Sequence, residues 1–272
     1  MREFRWFSSY ESEERIMYWL LSPLKVTDHY IVILAGGRSE RFGGNKALFT
    51  TEGSSFLSRA ITKTGHLSII PRRILISVHD RQQYYIISQH LEDELKIRRT
   101  GEPGQRELCW ELPTRSTQTI PLQFILDING QRGQHGAAIF GLQSMCRSIH
   151  QGFALCVPCD TPLFPASIMN ELISMARSDP EIDAIVPRWE NGFIEALHGL
   201  YRVESLHPIL EENIKKGIFK LRELFTQDLN IRYFDIDEYL RTNDVGDRVF
   251  HNINTRDDLN VLMEECEELF HQ

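Results

Sequence analysis

The feature that most constrains the fold is a series of short apolar runs, each of which ends at polar or turn residues. Helix-like segments separate these runs, so that strand and helix patterns alternate along the chain. The predicted strands cover residues 31–34, 74–78, 124–126, 153–157 and 184–186, and the predicted helices cover residues 55–64, 82–95, 136–145 and 165–177. This alternation predicts an α/β fold with a doubly wound, mostly parallel sheet in three layers. Ligands of such sheets bind beyond the carboxyl ends of the strands.

The domain organisation is predicted to be simple. Residues 1–28 precede the first clear strand, and their acidic and apolar residues predict a short N-terminal helical appendage. Residues 29–272 are predicted to form a single domain. A polar stretch at about 98–119 contains several glycines and prolines and shows no sustained periodicity, which predicts an insertion loop.

Charge and cysteine usage exclude several classes of protein. The chain of 272 residues has a formal net charge of -8. A general nucleic-acid binder needs a basic surface, because the phosphate backbone is negatively charged. Its five cysteines are an odd number and do not suggest a disulfide framework. The apolar stretch at residues 16–24 is too short to span a bilayer and follows acidic rather than basic residues. We therefore expect a cytoplasmic protein that binds neither nucleic acid nor membrane.

A glycine-rich segment follows the first predicted strand directly. Residues 34–46 read Leu-Ala-Gly-Gly-Arg-Ser-Glu-Arg-Phe-Gly-Gly-Asn-Lys. Glycines let backbone N–H groups approach phosphate oxygens, and Arg38, Arg41 and Lys46 add positive charge. The spacing matches neither a Walker loop nor a dinucleotide fingerprint. The alternative is a glycine-rich loop whose basic residues only face solvent. Phosphate binding is favoured, because the glycines and the basic side chains occur together directly after a strand.

Two acids follow other predicted strands. Asp160 comes after the strand at 153–157 and before a proline-bounded turn, where it could hold Mg²⁺ together with phosphate oxygens or cap a helical turn near Pro162. Asp127 follows the strand at 124–126, where a contact with the ligand and an Asx turn at the strand end are equally compatible with the sequence. Cys156 and Cys159 form a Cys-x-x-Cys, but no second Cys/His pair lies at zinc-finger spacing, so a metal site there is rejected.

Several segments resemble the molybdenum cofactor guanylyltransferase family. Residues 34–46 resemble its signature Leu-Ala-Gly-Gly-x-Ser-x-Arg-Met-Gly-x-x-Lys, from which only Phe42 departs. Residues 160–162 match its Asp-x-Pro, and residues 250–259 resemble Phe-x-Asn-Ile-Asn-Thr-Pro-Glu-Asp-Leu. Residues 195–201 resemble Glu-Pro-Leu-x-x-x-Tyr with Ala196 in place of proline. The matches follow the family's order from about residue 30 to residue 262.

Other positions depart from the family pattern. Asp127 stands where the family has an aspartate that contacts guanine or ribose, but Gln134 and His135 replace the Pro-Leu that follows it in the family. His79 stands where the family commonly has an asparagine that reads the nucleotide. His79 could donate to a base carbonyl or face solvent as a loop histidine. Glu195 could lie on the acceptor side or in solvent.

The resemblance implies a Rossmann-like nucleotidyltransferase that transfers GMP from GTP to the phosphate of molybdopterin, releasing pyrophosphate with Mg²⁺ as cofactor. It also implies contact with molybdenum cofactor enzymes or chaperones. The implied catalytic residues are Lys46, Arg41 and Asp160, and the implied metal ligands are Asp160 and Asn254. The remaining implied site residues are Leu34, Ala35, Gly36, Gly37, Arg38, Ser39, Gly43, Lys46, His79 and Asp127 for the nucleotide, and Glu195 and Asn252 for the acceptor.

Two alternatives stay open from the sequence. The first is a nucleotidyltransferase of the same fold that uses CTP, a sugar phosphate or another phospho-acceptor. The second is a nucleotide-binding regulator that has kept the glycine-rich loop and lost turnover. Lys46, Asp160 and Asn254 together argue against the regulator. The segment of Asn254 has an alternative interpretation of its own, because Thr255 and Asp258 resemble a capping box for the last helix, and this cap and a metal or phosphate contact are compatible.

Overall fold

A computed structural model of the protein describes residues 28–37, 44–95, 97–100, 107–111, 119–127, 137–226 and 229–265. Within these ranges, nine of the eleven strands form one sheet in the order β11-β9-β10-β8-β1-β4-β7-β6-β5, and β2 and β3 form a separate antiparallel pair. The strands are β1 His29–Leu34, β2 Thr50–Thr51, β3 Ser54–Ser55, β4 Ile74–Val78, β5 Arg98–Thr100, β6 Glu107–Glu111, β7 Thr119–Leu126, β8 Phe153–Pro158, β9 Ala184–Arg188, β10 Leu200–Arg202 and β11 Ile231–Asp235. The helices are α1 Phe56–Thr64, α2 Arg81–Leu95, α3 Ala137–Ser148, α4 Ala166–Ser178, α5 Val203–Lys215, α6 Ile236–Asn243 and α7 Arg256–Glu265.

The centre of the sheet is parallel, as predicted. Strand β1 pairs in parallel with β4 on one side and with β8 on the other, and β4 pairs in parallel with β7. The chain therefore runs outward from β1 through β4 to β7 and then returns to the opposite side of β1 to form β8. This reversal of direction opens a crevice beyond the carboxyl ends of β1 and β8, where doubly wound sheets bind their ligands.

The outer strands break the parallel pattern. Strand β10 runs antiparallel between β8 and β9, and β6 runs antiparallel to both β7 and β5. The prediction of a loop at about 98–119 was wrong in part, because β5, β6 and the first residue of β7 lie in that stretch. Edge strands of this kind need no continuous apolar run, so the polar sequence was misread as a loop. Residues 101–106 and 112–118 lie outside the described ranges.

Both faces of the sheet are covered by helices. The period-two alternation of β1 sends Ile31 and Ile33 into one apolar cluster and Val32 into the other, and all three are fully buried. The first cluster includes residues of α1, α2, α4 and α6, and the second includes residues of α3 and α5. A third, smaller cluster joins Phe56 at the start of α1 to Leu163, Ile253 and Leu259. The three-layer prediction is thereby confirmed.

The predicted appendage at residues 1–28 lies almost entirely outside the described residues, and the division of the chain into an appendage and one domain stays a prediction. Cys156 and Cys159 are buried, and burial raises the pKa of each thiol to about 12. They therefore behave as small apolar residues near neutral pH. In the described part of the chain, every helix is too short or too polar to cross a membrane.

Candidate active site

The start of the glycine-rich loop is held tightly by the sheet. The amide of Ala35 donates to the carbonyl of Ser77 at 3.0 Å, and the carbonyl of Ala35 accepts from Gln83 Nε2 at 2.8 Å. The carbonyl of Leu34 accepts from the amide of Cys159 at 3.2 Å. These backbone groups of Leu34 and Ala35 therefore frame the loop, and their predicted contact with the nucleotide stays a prediction.

Gly36 lies where the ends of β1, β4 and β7 meet. A Cβ atom on Gly36 would lie 2.7 Å from Asp127 Oδ2 and 3.4 Å from the backbone nitrogen of His79. Only glycine lets the backbone pass this close to the carboxylate. Gly37, by contrast, is exposed, and a Cβ there would meet no atom within 4 Å. Four other predicted loop residues, Arg38, Ser39, Arg41 and Gly43, lie outside the described residues.

At the far end of the loop, Lys46 reaches two other segments of the chain. Its Nζ atom lies 2.8 Å from Asp160 Oδ2 and 3.1 Å from Asn254 Oδ1. The lysine side chain is 12% exposed and the aspartate side chain is 26% exposed. The structure thus brings together the three residues that the sequence predicts for phosphate and metal binding. Their positive and negative groups form an ion pair at the edge of the sheet rather than deep in the core.

The turn that carries Asp160 is fixed through its backbone. The carbonyl of Asp160 accepts from the amide of Ile253 at 2.9 Å, which ties the turn to the segment before α7. A turn closed by the Phe164 amide on the Thr161 carbonyl follows Asp160, and helix α4 begins only at Ala166 with Pro165 at its N-cap. Asp160 therefore does not cap α4, and its capping of the turn near Pro162 stays an alternative.

Asn254 is placed by the N-terminal cap of α7. The carboxylate of Asp258 accepts from the amides of Asn254 and Thr255, both at 2.8 Å, and Thr255 Oγ1 accepts from the amide of Asp258 at 3.1 Å. These hydrogen bonds, led by that from Asn254, lower the pKa of Asp258. The predicted capping box is therefore present, and it holds the backbone of Asn254 while the side chain faces Lys46. The predicted acceptor residue Asn252 is exposed.

Asp127 closes the opposite side of the loop. It is buried, and its Oδ1 accepts from the hydroxyl of Ser77 at 2.6 Å. Burial raises the pKa of Asp127 to about 6, against the opposing effects of the Ser77 hydrogen bond and the His79 charge. Both ring nitrogens of His79 lie close to protein oxygen atoms, with Nδ1 2.8 Å from Gln83 Oε1 and Nε2 2.9 Å from Asp80 Oδ2. The ring is therefore not a freely solvated loop histidine.

Glu195 faces the protein rather than solvent. Its Oε1 accepts from the indole nitrogen of Trp189 at 3.1 Å, and its Oε2 lies 3.7 Å from Nδ1 of the buried His198. Burial acts to raise the pKa of Glu195, but interactions with His198 and Trp189 outweigh it and lower the pKa. The solvent-facing alternative for Glu195 is wrong, and its acceptor-side role stays a prediction.

Two residues that the sequence analysis did not assign also support the Asp160 turn. The ammonium group of Lys63, on α1, donates to the carbonyls of Pro162 and Phe164. Burial, with help from the charge of Arg59, lowers the pKa of Lys63 to about 7. Nε2 of His198 lies 3.0 Å from the hydroxyl of Thr161. The sequence could have pointed to Lys63 only as a lysine beside the apolar stripe of α1. It could have pointed to His198 only through its place in a family-like motif.

The donor set of this site suits a hard cation in type, and it offers two protein oxygen ligands rather than a complete set. Within the described ranges, no group of three or more histidine, cysteine, aspartate or glutamate side chains is placed to hold a metal ion. Asp160 and Asn254 nevertheless turn oxygen atoms toward one shared cation, the Lys46 ammonium. Carboxylate and amide oxygens also suit Mg²⁺, which commonly completes its shell with phosphate oxygens and water.

Comparison with known proteins identifies relatives across most of the chain. The model of the MobA-like NTP transferase domain matches residues 31–231. Proteins described as probable molybdenum cofactor guanylyltransferases from Pyrococcus horikoshii and Thermococcus gammatolerans are each 26% identical and match 85% of this chain and 96% of their own length. The crystal structure of molybdopterin-guanine dinucleotide biosynthesis protein A from Archaeoglobus fulgidus has a TM-score of 0.62 at 21% identity, covering 88% of this chain and 99% of that one. At this identity the structural likeness shows the fold alone.

Proposed function

Because the chain belongs to the MobA-like NTP transferase family, we propose that it transfers GMP from GTP to the phosphate of molybdopterin and releases pyrophosphate. The observation that supports this most strongly is the convergence of Lys46, Asp160 and Asn254 beside the glycine-rich loop. The convergence lies beyond the carboxyl ends of β1 and β8, at the switch point of the sheet. The choice of guanine and of molybdopterin rests on the sequence resemblance and on the names of the relatives.

In the proposed reaction, an oxygen of the acceptor phosphate forms a bond to the α-phosphorus of GTP. The bond from that phosphorus to the bridging oxygen breaks, and pyrophosphate leaves with the electron pair. The attacking phosphate is already anionic near neutral pH, so no general base is needed. Such transfers depend on positioning and on charge placed where the transition state needs it. Lys46 supplies that charge, and the loop would contribute backbone N–H groups and Arg41.

A divalent cation, proposed to be Mg²⁺, fits this site through Asp160 and Asn254. When bound, it would neutralise charge on the phosphate oxygens. In this proposal the ammonium of Lys46 contacts the triphosphate. Gly36, Gly37, Arg38, Ser39, Gly43, His79 and Asp127 are proposed to bind the nucleotide, and Glu195 and Asn252 are proposed to lie toward the acceptor. A cytoplasmic location stays a prediction.

A panel of substrates tests the proposal. The purified protein is mixed with Mg²⁺ and with each of GTP, CTP, ATP and UTP, in the presence of molybdopterin or a sugar phosphate. Pyrophosphate release is then measured. We expect release with GTP and molybdopterin. Release only with CTP or only with a sugar phosphate would support the first alternative, and no release with any pair would contradict the enzyme assignment.

Two variants test the site itself. We expect Lys46→Ala and Asp160→Ala each to lower kcat by about a hundredfold or more, the scale of losing a preorganised electrostatic contact. Lys216→Ala is the control, because Lys216 is an exposed residue of the helix end that pairs with Glu212. Thermal unfolding shows whether each variant folds. A wild-type rate in either site variant would refute its assigned role.

A further inference from the structure

A row of polar side chains, Trp189, Glu195, His198 and Thr161, leads from the end of β9 to the turn that carries Asp160. His198 is 1% exposed and packs against the aromatic rings of Phe164 and Phe250, at centroid distances of 4.6 and 5.1 Å, while those two rings lie 5.4 Å from each other. Its Nε2 atom lies 3.0 Å from Oγ1 of Thr161, which follows Asp160 in the chain. A buried polar ring packed against two phenyl rings is placed by its hydrogen bonds as well as by packing.

The direction of the Thr161 hydrogen bond follows from proton counting. The hydroxyl of Thr161 donates its single proton to the carbonyl of Pro158 at 3.0 Å. It can therefore only accept from the imidazole, and His198 donates from Nε2. This pair of hydrogen bonds closes the backbone around Asp160, because Pro158 and Thr161 stand on either side of it.

The other ring nitrogen of His198, Nδ1, is buried and makes no hydrogen bond among the described residues. It lies 3.7 Å from Glu195 Oε2, beyond hydrogen-bonding distance, and Glu195 is itself held by Trp189. The short 3-10 helix at Ala196–His198 is anchored by the phenol of Tyr201, which donates to the carbonyl of Ala196 at 2.5 Å. A Cβ on Gly199 would lie 2.6 Å from the Tyr201 oxygen, so glycine is required there.

We propose that His198 is a positioning residue that acts through Thr161 to hold the Asp160 carboxylate toward Lys46 and Asn254. The proposal rests on the role given to Asp160 in the proposed function. Asp160 lies in a turn and is partly exposed, so its own packing does not fix the carboxylate. A small displacement of a reacting or charge-bearing group can cost a large factor in rate. Glu195, expected from the sequence on the acceptor side, is here a partner of His198.

Two substitutions separate the hydrogen bond from the packing. His198→Phe keeps an aromatic ring against Phe164 and Phe250 and removes the Nε2 donor. His198→Gln retains an N–H donor at about the same distance from the backbone. We expect His198→Phe to lower kcat by about 10- to 100-fold with less than about a twofold change in the KM for the nucleotide. His198→Gln is expected to recover most of that loss. Equal losses in the two variants would mean that packing matters and would overturn the proposal.

Thr161 offers a second matched pair. Thr161→Val removes the hydroxyl with little change of shape, and Thr161→Ser keeps it. We expect Thr161→Val to lose at least as much kcat as His198→Phe, because it also removes the hydrogen bond to Pro158, and Thr161→Ser to resemble the wild type. Combining His198→Phe with Thr161→Val should cost no more than the larger single loss, because both remove the hydrogen bond between His198 and Thr161. Additive losses in the double variant would contradict action through Thr161.

Amide hydrogen exchange of residues 158–164 keeps this test separate from that of the proposed function. In the nucleotide-free protein, exchange should be faster than wild type in His198→Phe and close to wild type in His198→Gln. If the wild-type protein releases no pyrophosphate with any substrate pair, the proposed function is wrong, and exchange alone decides the positioning role. Unchanged exchange and unchanged kcat in His198→Phe would overturn that role.

Discussion

Asp127 makes the proposed nucleotide contact sensitive to pH. Its folded-state pKa of about 6 means that the carboxylate takes up a proton as the pH falls through that value. If the charged form accepts hydrogen bonds from the nucleotide, affinity is full above that pH and is lost below it. We expect the Kd for GTP to rise by about tenfold between pH 7 and pH 5.

Asp127→Asn is the matched variant for that titration. Its Kd should show only the pH dependence that comes from the nucleotide's own terminal phosphate, which both proteins share. Isothermal titration calorimetry across the pH range measures the difference. Parallel curves for the two proteins would show that Asp127 does not read the nucleotide.

His29 should instead control stability. Burial, aided by the charge of Arg177, lowers its pKa from 6.5 to about 4. Between these values the unfolded chain binds a proton that the folded chain does not, so the free energy of unfolding decreases as the pH falls. The loss reaches up to about 3 kcal/mol at the acid end of the window.

Urea unfolding at several pH values between 7 and 4 measures that loss. His29→Asn should flatten the decline, because it removes the titrating group. His66→Asn changes an exposed histidine and should keep the wild-type slope. A wild-type slope in His29→Asn would assign the decline to other groups.

The sequence indicated which charged residues belong together but not how their neighbours hold them. Lys46, Asp160 and Asn254 could be grouped because each follows a strand or precedes a helix in a family-like order. The partners of His79 and Glu195 could not, since Gln83 and Trp189 reach them only through the folded backbone. Burial of His198 likewise depends on aromatic rings distant in sequence. The roles assigned to these residues stay predictions.

At the scale of single elements, the cap of α7 supports both stability and the site. Asp258→Ala removes the acceptor of the Asn254 and Thr255 amides. We expect it to lower the free energy of unfolding by about 1 kcal/mol, as lost caps typically do. It should also lower kcat, because Asn254 loses the bond that fixes its backbone.

Asp257→Ala is the control for that prediction. Asp257 is an exposed acid in the same first turn, so its removal changes the helix-terminal charge and leaves the capping box intact. Urea unfolding and pyrophosphate release compare the two variants. The proposed coupling fails if Asp258→Ala loses stability but keeps full kcat.

Elements with a strong apolar period were predictable, and those without one were not. The largely buried strands β1, β4 and β8 were predicted directly from their apolar runs. Strands β5 and β6 were missed because the sheet edge does not demand such a run.

The two-residue turn between β2 and β3 puts Glu52 at φ 50° and Gly53 at φ 79°, the left-handed conformations of a tight hairpin.

At the scale of the whole molecule, the alternation of strands and helices was enough to predict layers and parallel strands. It could not predict the direction of β10, which enters between β8 and β9 and runs against both. A strand three residues long carries no periodicity of its own, and its direction is set by the connections on either side.

The contacts of Lys46 have a consequence for synthesis of the chain. The lysine meets Asp160 across 114 residues and Asn254 across 208 residues. A ribosome must therefore reach residue 254 before the third of these groups can take its place. A nascent chain can hold the residues of the central strands before that point, but it cannot yet assemble these three groups. Fragments that end before residue 254 would lack this part of the proposed site.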